Sequence, residues 1–346
     1  MNFLVFGAGA IGTYIGGSLA HQGQRVVFLE QPPIVTMLRE RGLRLELGLN
    51  QSFAIAPTAF QVYPSLAEAL SHGPFDVAIF ALKSFDTAAA LEQMKPHAAS
   101  LPPILCLSNG VDNEPALAAL LGHERVIAGS VTSAVGRRAP GDVVLERSRG
   151  LGLAADHPLA VSLMAAFRAA GLNVRLYPQA AAMKWSKMLT NLLANATSAI
   201  LDMTPAEIFA HRGLYRLEMR MLREALSVMN ALGLTVVNLP GAPVRLLALA
   251  ARLPERLAQP LMRQAIGGGR GGKMPSFHID LHAGRGRSEV EWLNGAVVRH
   301  GERLGVAAPV NRFLTDTLLA LTRGALPLET YARQPEKLLA HLPQPL

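Results

Sequence analysis

Short, continuous apolar runs alternate with amphipathic segments through the first half of this 346-residue chain, and that alternation narrows the fold more than any other feature. Phe3–Phe6, Arg25–Leu29, Asp76–Leu82, Ile104–Leu107 and Val126–Val131 read as strands. Ala10–His21, a segment near Val35–Arg41, and Thr87 to about Met94 read as the helices between them. A strand that is apolar along its whole length is buried on both faces, and strands of that kind alternating with helices build a parallel sheet covered on both sides. Leu43–Glu46 and Ser52–Ala56, separated by Gly48 and Asn50, read as a hairpin. Asp142–Glu146 and Val174–Tyr177 read as later, peripheral strands. From about Gln179 the strand pattern ends. Helical periodicity takes over across residues 179–200, 213–232, 243–253, 257–265, 287–304 and 309–323. Within that half, Gly267–Gly272 reads as a mobile connector.

The first strand runs into Gly7-Ala8-Gly9-Ala10-Ile11-Gly12, and the first helix follows at once. That is the setting in which Gly-x-Gly-x-x-Gly carries a dinucleotide. Gly7 permits the tight turn, Gly9 admits the pyrophosphate to the backbone, and Gly12 lets helix and strand pack closely. The helix start then offers free N–H groups and a favourable dipole to the phosphates. Glu30 ends the second strand, 18 residues beyond Gly12. A carboxylate there bonds the ribose hydroxyls and repels a 2′-phosphate, which leans the cofactor toward NAD(H) over NADP(H); Arg25 and Lys83 are the cations open to a 2′-phosphate. The predicted organisation is an α/β Rossmann-type N-terminal domain over residues 1–177, an all-α C-terminal domain over 178–328, and a peripheral tail over 329–346.

Composition excludes several other classes. A single cysteine, Cys106, rules out an intrachain disulfide and fits a reducing compartment; it sits in the apolar run Ile104–Leu107 and reads as an inert core residue. The glycines at 7, 9, 12, 16 and 17 interrupt the apolar N-terminus, and no Lys or Arg precedes Arg25, so a signal peptide is not expected. No apolar run is long enough to span a membrane. A cytoplasmic protein is expected. The formal charge is +8, but its arginines are scattered without interleaved aromatics, so the bias reads as a basic surface that draws in anionic ligands and not as a nucleic-acid site. The apolar helical half is compatible with a homodimer.

In the helical half, Lys187, Asn191 and Asn195 recur at a spacing of four. At about 3.6 residues per turn, they lie in one row on a helix face. Their neighbours Met188, Leu189, Leu192, Leu193 and Ala194 are apolar, so the row belongs to a largely buried helix. Buried polar groups need partners, and a ligand can supply them. Lys184, one turn earlier, reads as a surface lysine.

With these features the chain resembles the ketopantoate reductases (2-dehydropantoate 2-reductases) over about residues 1–325. The resemblance rests on the Gly7–Gly12 turn, Leu82-Lys83, Ser108-Asn109-Gly110, the Trp185 to Asn195 stretch, and Ser276 followed by Glu289-Val290-Glu291-Trp292-Leu293-Asn294-Gly295. It implies hydride transfer from NADPH or NADH to the keto carbon of 2-dehydropantoate, giving pantoate for coenzyme A synthesis. On this resemblance Lys187 is the catalytic lysine and Glu289 its acidic partner. Asn191, Asn195 and Ser276 are substrate-binding, and Asn109 lies near both nicotinamide and substrate. The cofactor set becomes Gly7, Ala8, Gly9, Ala10, Ile11, Gly12, Glu30, Lys83, Asn109 and Glu289. The cofactor would lie along the C-terminal sheet edge, with the 2-oxo acid against the helical domain. The chain departs from the family at Glu30-Gln31, where an arginine for the 2′-phosphate is common.

The residue types suit the chemistry without the family name. Ketone reduction needs a hydride on carbon and a proton on oxygen, and an ammonium such as Lys187 stabilises the developing alkoxide and supplies that proton. Other readings stay open. Glu289 could be a first-turn helix charge capped by Ser288. Ser276 could be a turn residue. The same fold could reduce another 2-oxo acid or serve as a dinucleotide sensor without turnover. His278 and His282, at i and i+4, suggest a metal pair, but no third ligand is evident and no metal is expected.

Overall fold

The computed structural model describes residues 1–48, 51–270 and 274–343. The chain divides into two compact units: residues 1–184 with 239–242, and residues 185–238 with 243–346.

Among the described residues of the first unit, twelve strands form two sheets. They are β1 (Asn2–Phe6), β2 (Arg25–Leu29), β3 (Leu43–Glu46), β4 (Ser52–Ile55), β5 (Gln61–Tyr63), β6 (Val77–Phe80), β7 (Ile104–Cys106), β8 (Val126–Val131), β9 (Ala134–Ala139), β10 (Asp142–Arg147), β11 (Leu151–Ala154) and β12 (Val174–Tyr177). The larger sheet has the order β12-β11-β8-β7-β6-β1-β2-β5. Every pairing in it is parallel except β11 with β8. Its central strands are fully buried, and Phe3, Val5 and Phe28 pack one face while Leu4, Phe6 and Phe80 pack the other. The apolar runs predicted this double coverage. The smaller sheet has the order β4-β3-β10-β9, with β3 and β4 as the antiparallel hairpin; Asn50 of its turn lies outside the described residues. Strands β5, β9 and β11 were not anticipated. Each is short, and β9 carries Arg137 and Arg138 where an apolar alternation would be looked for.

The first unit takes its last strand-like piece from far along the chain. Leu239 and Ala242 form an isolated bridge, and the Thr132 hydroxyl donates to Pro240 O at 2.8 Å.

The second unit is helical, and three expectations there are corrected. The segment 179–200 is two helices, Ala180–Leu192 and Asn195–Leu201, because Ala194 adopts a left-handed conformation at φ 54°. The freed Ala194 N–H donates to Glu218 Oε2 at 2.7 Å, and the Thr197 hydroxyl donates to Oε1 of the same carboxylate at 2.6 Å. Glu218 is fully buried, so the break has its own partner. Second, Gly267–Arg270 are not a connector: the Glu255–Arg270 helix runs through them, while Gly271 and Gly272 lie outside the described residues. A glycine costs a helix interior roughly 1 kcal/mol but does not by itself end it. Third, the segment 287–304 divides at Leu293 into a 3-10 turn, Glu289–Trp292, and the Asn294–Leu304 helix. The tail is anchored as well as terminal. Tyr331 and Leu338 are buried, and the Arg333 N–H donates to Leu201 O at 2.7 Å.

Candidate active site

Four loops of the first unit emerge at one edge of the larger sheet, because β2, β1, β6 and β7 are adjacent and parallel. They carry Glu30, the Gly7–Gly12 turn, Lys83 and Asn109. Gly7 sits at φ 88°, a conformation that favours glycine, and its N–H donates to Leu29 O at 3.0 Å. A Cβ on Gly12 would fall 1.9 Å from Gly7 O, so helix and turn touch only because that side chain is absent. A Cβ on Gly9 would meet nothing within 4 Å, and no side chain caps the Ala10–His21 helix there. The first N–H groups of that helix have no intrahelical acceptors. The turn therefore fits an anionic pyrophosphate, through the backbone from Gly9 to Gly12.

Glu30 is bound into the same turn. Its Oε1 accepts from the Ala8 N–H at 2.6 Å and its Oε2 from the Gln31 N–H at 3.0 Å. A carboxylate held by backbone donors beside the turn is well placed to meet hydroxyls and badly suited to a second phosphate. Lys83 precedes the short 3-10 turn Ser84–Asp86, whose Asp86 N–H donates to Lys83 O at 2.9 Å.

The Asn109 loop is held from below. Its carbonyl accepts from the Ser84 hydroxyl at 2.8 Å and from Asn113 Nδ2 at 2.6 Å, and Gly110 follows at φ 87°. Lys184 supplies a further tie, and here the sequence reading was wrong. Lys184 is 5% exposed; its Nζ donates to Ser108 O at 2.7 Å and lies 2.7 Å from Glu114 Oε1. A lone lysine three residues from Lys187 carries no mark of burial, since its partner Glu114 is 70 residues away. Asn113 and Glu114 were likewise not singled out. Burial of the neighbouring Cys106 thiol, reinforced by the Glu114 charge, pushes its pKa up, in keeping with an inert core residue.

In the second unit, the predicted row becomes a bent string. Lys187 Nζ donates to Asn191 Oδ1 at 2.8 Å. Asn195 Nδ2 donates to Asn191 O at 3.0 Å and lies 3.4 Å from the Ser276 hydroxyl. Asn195 Oδ1 accepts the Phe277 N–H at 3.0 Å, fixing the start of the Ser276–His282 helix. The break at Ala194 turns Asn195 toward that helix, so Lys187, Asn191, Asn195 and Ser276 are brought together by a bend that spacing alone did not predict. Lys187 and Asn191 are partly exposed, Ser276 is exposed and Asn195 is buried.

Glu289 stands on the 3-10 turn Glu289–Trp292, 1% exposed. The Ser288 hydroxyl accepts from the Val290 N–H at 3.2 Å, so the capping is present, but a carboxylate this buried is not a solvated helix charge. Asn294, from the same sequence block, is a core residue: its Nδ2 donates to Asn311 Oδ1 at 3.1 Å. Nearby, burial raises the pKa of Glu224, which accepts the Val310 and Asn311 N–H groups. His278 and His282 do have a third ligand candidate, Asp202. Among the described residues no helix is long and apolar enough to cross a membrane.

Comparison with known proteins gives this arrangement a family. Residues 3–155 match the family described as ketopantoate reductase PanE/ApbA, and residues 179–322 match its C-terminal counterpart. The chain is 28% identical over 325 residues to the 2-dehydropantoate 2-reductase of Halobacterium salinarum, across 91% of this chain and 97% of that protein. It superposes on the PanE/ApbA family ketopantoate reductase of Ralstonia eutropha JMP134 with a TM-score of 0.77 and 27% identity, covering 94% and 99% of the two chains. D-mandelate dehydrogenase, solved with NADH and anilino(oxo)acetate, shares the fold at a TM-score of 0.75 and 20% identity, with 94% and 99% covered. With both halves of the chain matched in order, the protein belongs to the ketopantoate reductase family.

Proposed function

We propose that the protein is a cytoplasmic NAD(P)H-dependent reductase that converts 2-dehydropantoate to pantoate in pantothenate and coenzyme A biosynthesis. The observation that carries this reading is the hydrogen-bonded string Lys187–Asn191–Asn195–Ser276, which gathers an ammonium, amides and a hydroxyl suited to one small polar ligand. The Gly7–Gly12 backbone would hold the dinucleotide phosphates, and Glu30 the adenine ribose, with NADH favoured over NADPH.

A nicotinamide held by the Gly7–Gly12 turn would supply the hydride that ketone reduction needs. Lys187 then meets the other demand of the reaction, the charge gathering on the keto oxygen: its ammonium stabilises that charge and releases a proton to it. Asn191 Oδ1 accepts one ammonium hydrogen and so aims the remaining ones. The Ser276 hydroxyl takes the substrate carboxylate. Asn109 and Asn195 offer donors and acceptors to a hydroxy-keto acid, and Glu289 orients Lys187 or accepts a substrate hydroxyl.

Oxidation of NADH and of NADPH by the purified protein, with 2-dehydropantoate and a panel of other 2-oxo acids, tests the reading. Lys187→Ala is expected to lower turnover by about 10²–10⁴-fold, the usual contribution of a positioned acid, while nucleotide binding persists. Turnover undiminished in that variant would end the acid assignment. A second reading is reduction of a different 2-oxo acid by the same residues; the fold shared with D-mandelate dehydrogenase motivates it, and a higher kcat/KM for another member of the panel would establish it.

A further inference from the structure

His278 and His282 lie one turn apart on the Ser276–His282 helix, with ring centroids 4.1 Å apart and planes tilted by 30°. Asp202 faces both. Its Oδ1 is 2.7 Å from His278 Nε2 and 4.0 Å from His282 Nε2, and one ligand atom from each of the three side chains lies within 4.8 Å of the other two. We propose that Asp202, His278 and His282 form a binding site for a divalent transition metal of the zinc class, joining the Asn195–Leu201 and Ser276–His282 helices.

A simple hydrogen bond between Asp202 and His278 accounts for one imidazole only. His282 is too far for a hydrogen bond, yet its ring lies tilted against its neighbour with Nε2 4.0 Å from the same carboxylate oxygen. Two imidazoles and one carboxylate are the donor set of zinc, cobalt and nickel; calcium and magnesium prefer oxygen alone. Ligand bonds of about 2.1 Å in a tetrahedral site place donors about 3.4 Å apart. The 2.7 Å contact would open and the 4.0 Å gap would close by about the same amount, within the reach of small χ rotations.

The carboxylate is aimed by its backbone. Asp202 caps the Asn195–Leu201 helix in a left-handed conformation at φ 50°, which a single Asp adopts more readily than most side chains. Arg333 ties down the same turn: its N–H donates to Leu201 O at 2.7 Å and its Nη1 to Asp202 O at 3.4 Å, while its Nη2 pairs with Glu207 at 2.7 Å. The side chains of Asp202 and His282 are 47% and 39% exposed, so an ion has access and water can fill the open coordination position. At the other end of the same two helices, Asn195 Oδ1 accepts the Phe277 N–H. A metal would fasten the helix pair at its second end, and binding to the folded state alone would raise Tm.

Isothermal titration of metal-stripped, tag-free protein with Zn2+ tests this, together with Co2+ absorption and thermal unfolding with and without Zn2+. One equivalent of Zn2+ with a rise in Tm is expected. His282→Ala leaves the Asp202–His278 bond in place, so its apo Tm should not move, yet Zn2+ affinity should drop on the order of tenfold or more, as losing a ligand outweighs the loss of an outer-shell partner. Asp202→Asn should weaken binding likewise. No uptake by the parent protein, or uptake unchanged in both variants, would overturn the proposal, the latter marking an adventitious ion held elsewhere.

Discussion

At the sheet edge of the first unit, the candidate cofactor groups are mostly backbone: N–H groups at the start of one helix, and a Glu30 carboxylate tied to the turn that precedes it. In the second unit the candidate substrate groups are side chains on a helix that stops at Leu192 and restarts at Asn195. The first arrangement is specified by neighbours in sequence, because a strand, three glycines and a helix start suffice. The second depends on a distant residue, Glu218, that receives the amide released by the break. A phosphate presents the same charge in every dinucleotide, so backbone donors serve it. A substrate carbonyl must be met at one point, which calls for side chains whose aim is set by tertiary structure.

Four perturbations would break or sharpen that contrast. The largest effect is expected from Lys184→Met, which strands the Glu114 carboxylate and removes a donor beneath the Asn109 loop. Breaking a buried pair costs about 3–5 kcal/mol, read as a lowered urea midpoint; a loss under 1 kcal/mol would mean the edge needs no buried support. Glu218→Ala orphans the Ala194 N–H and the Thr197 hydroxyl, at roughly 1–3 kcal/mol each. It should also raise substrate KM more than nucleotide KM, and an equal rise in both would erase the distinction drawn here. Glu30→Gln keeps an acceptor for the Ala8 N–H but removes the charge, so NADPH should gain on the order of tenfold against NADH, equivalent to about 1.4 kcal/mol. The smallest effect is at Cys106, which is buried with its thiol pKa pushed up. A thiol reagent at pH 8 should modify it only as the protein unfolds, and prompt labelling of the native protein would show that the sheet edge opens locally.

The same contrast governs how much could be read beforehand. The strands Arg25–Leu29, Leu43–Glu46, Val126–Val131 and Val174–Tyr177, and the helices Ala10–His21 and Thr87–Met94, have the bounds that their patterns predict, since periodicity and burial agree along each. The break at Ala194 was illegible because alanine is the best helix former, and nothing local signals its left-handed backbone. Lys184 and Lys187 look alike in sequence and differ through partners 70 residues away or nearby. The third ligand candidate beside His278 and His282 comes from 76 residues earlier, beyond any spacing rule.

The four residues Leu239–Ala242, which complete the first unit from far downstream, bear on how the protein is made. A ribosome that has just released residue 184 has not yet delivered Pro240, the acceptor for the Thr132 hydroxyl. At about 5–20 residues per second, the interval to residue 242 lasts several seconds. Through that interval the nascent first unit is unfinished while the first helices of the second emerge, so neither half is an independent module of synthesis. A gene cut at residue 184 would yield a first half short of part of itself, and recombination between relatives would have to carry both pieces together.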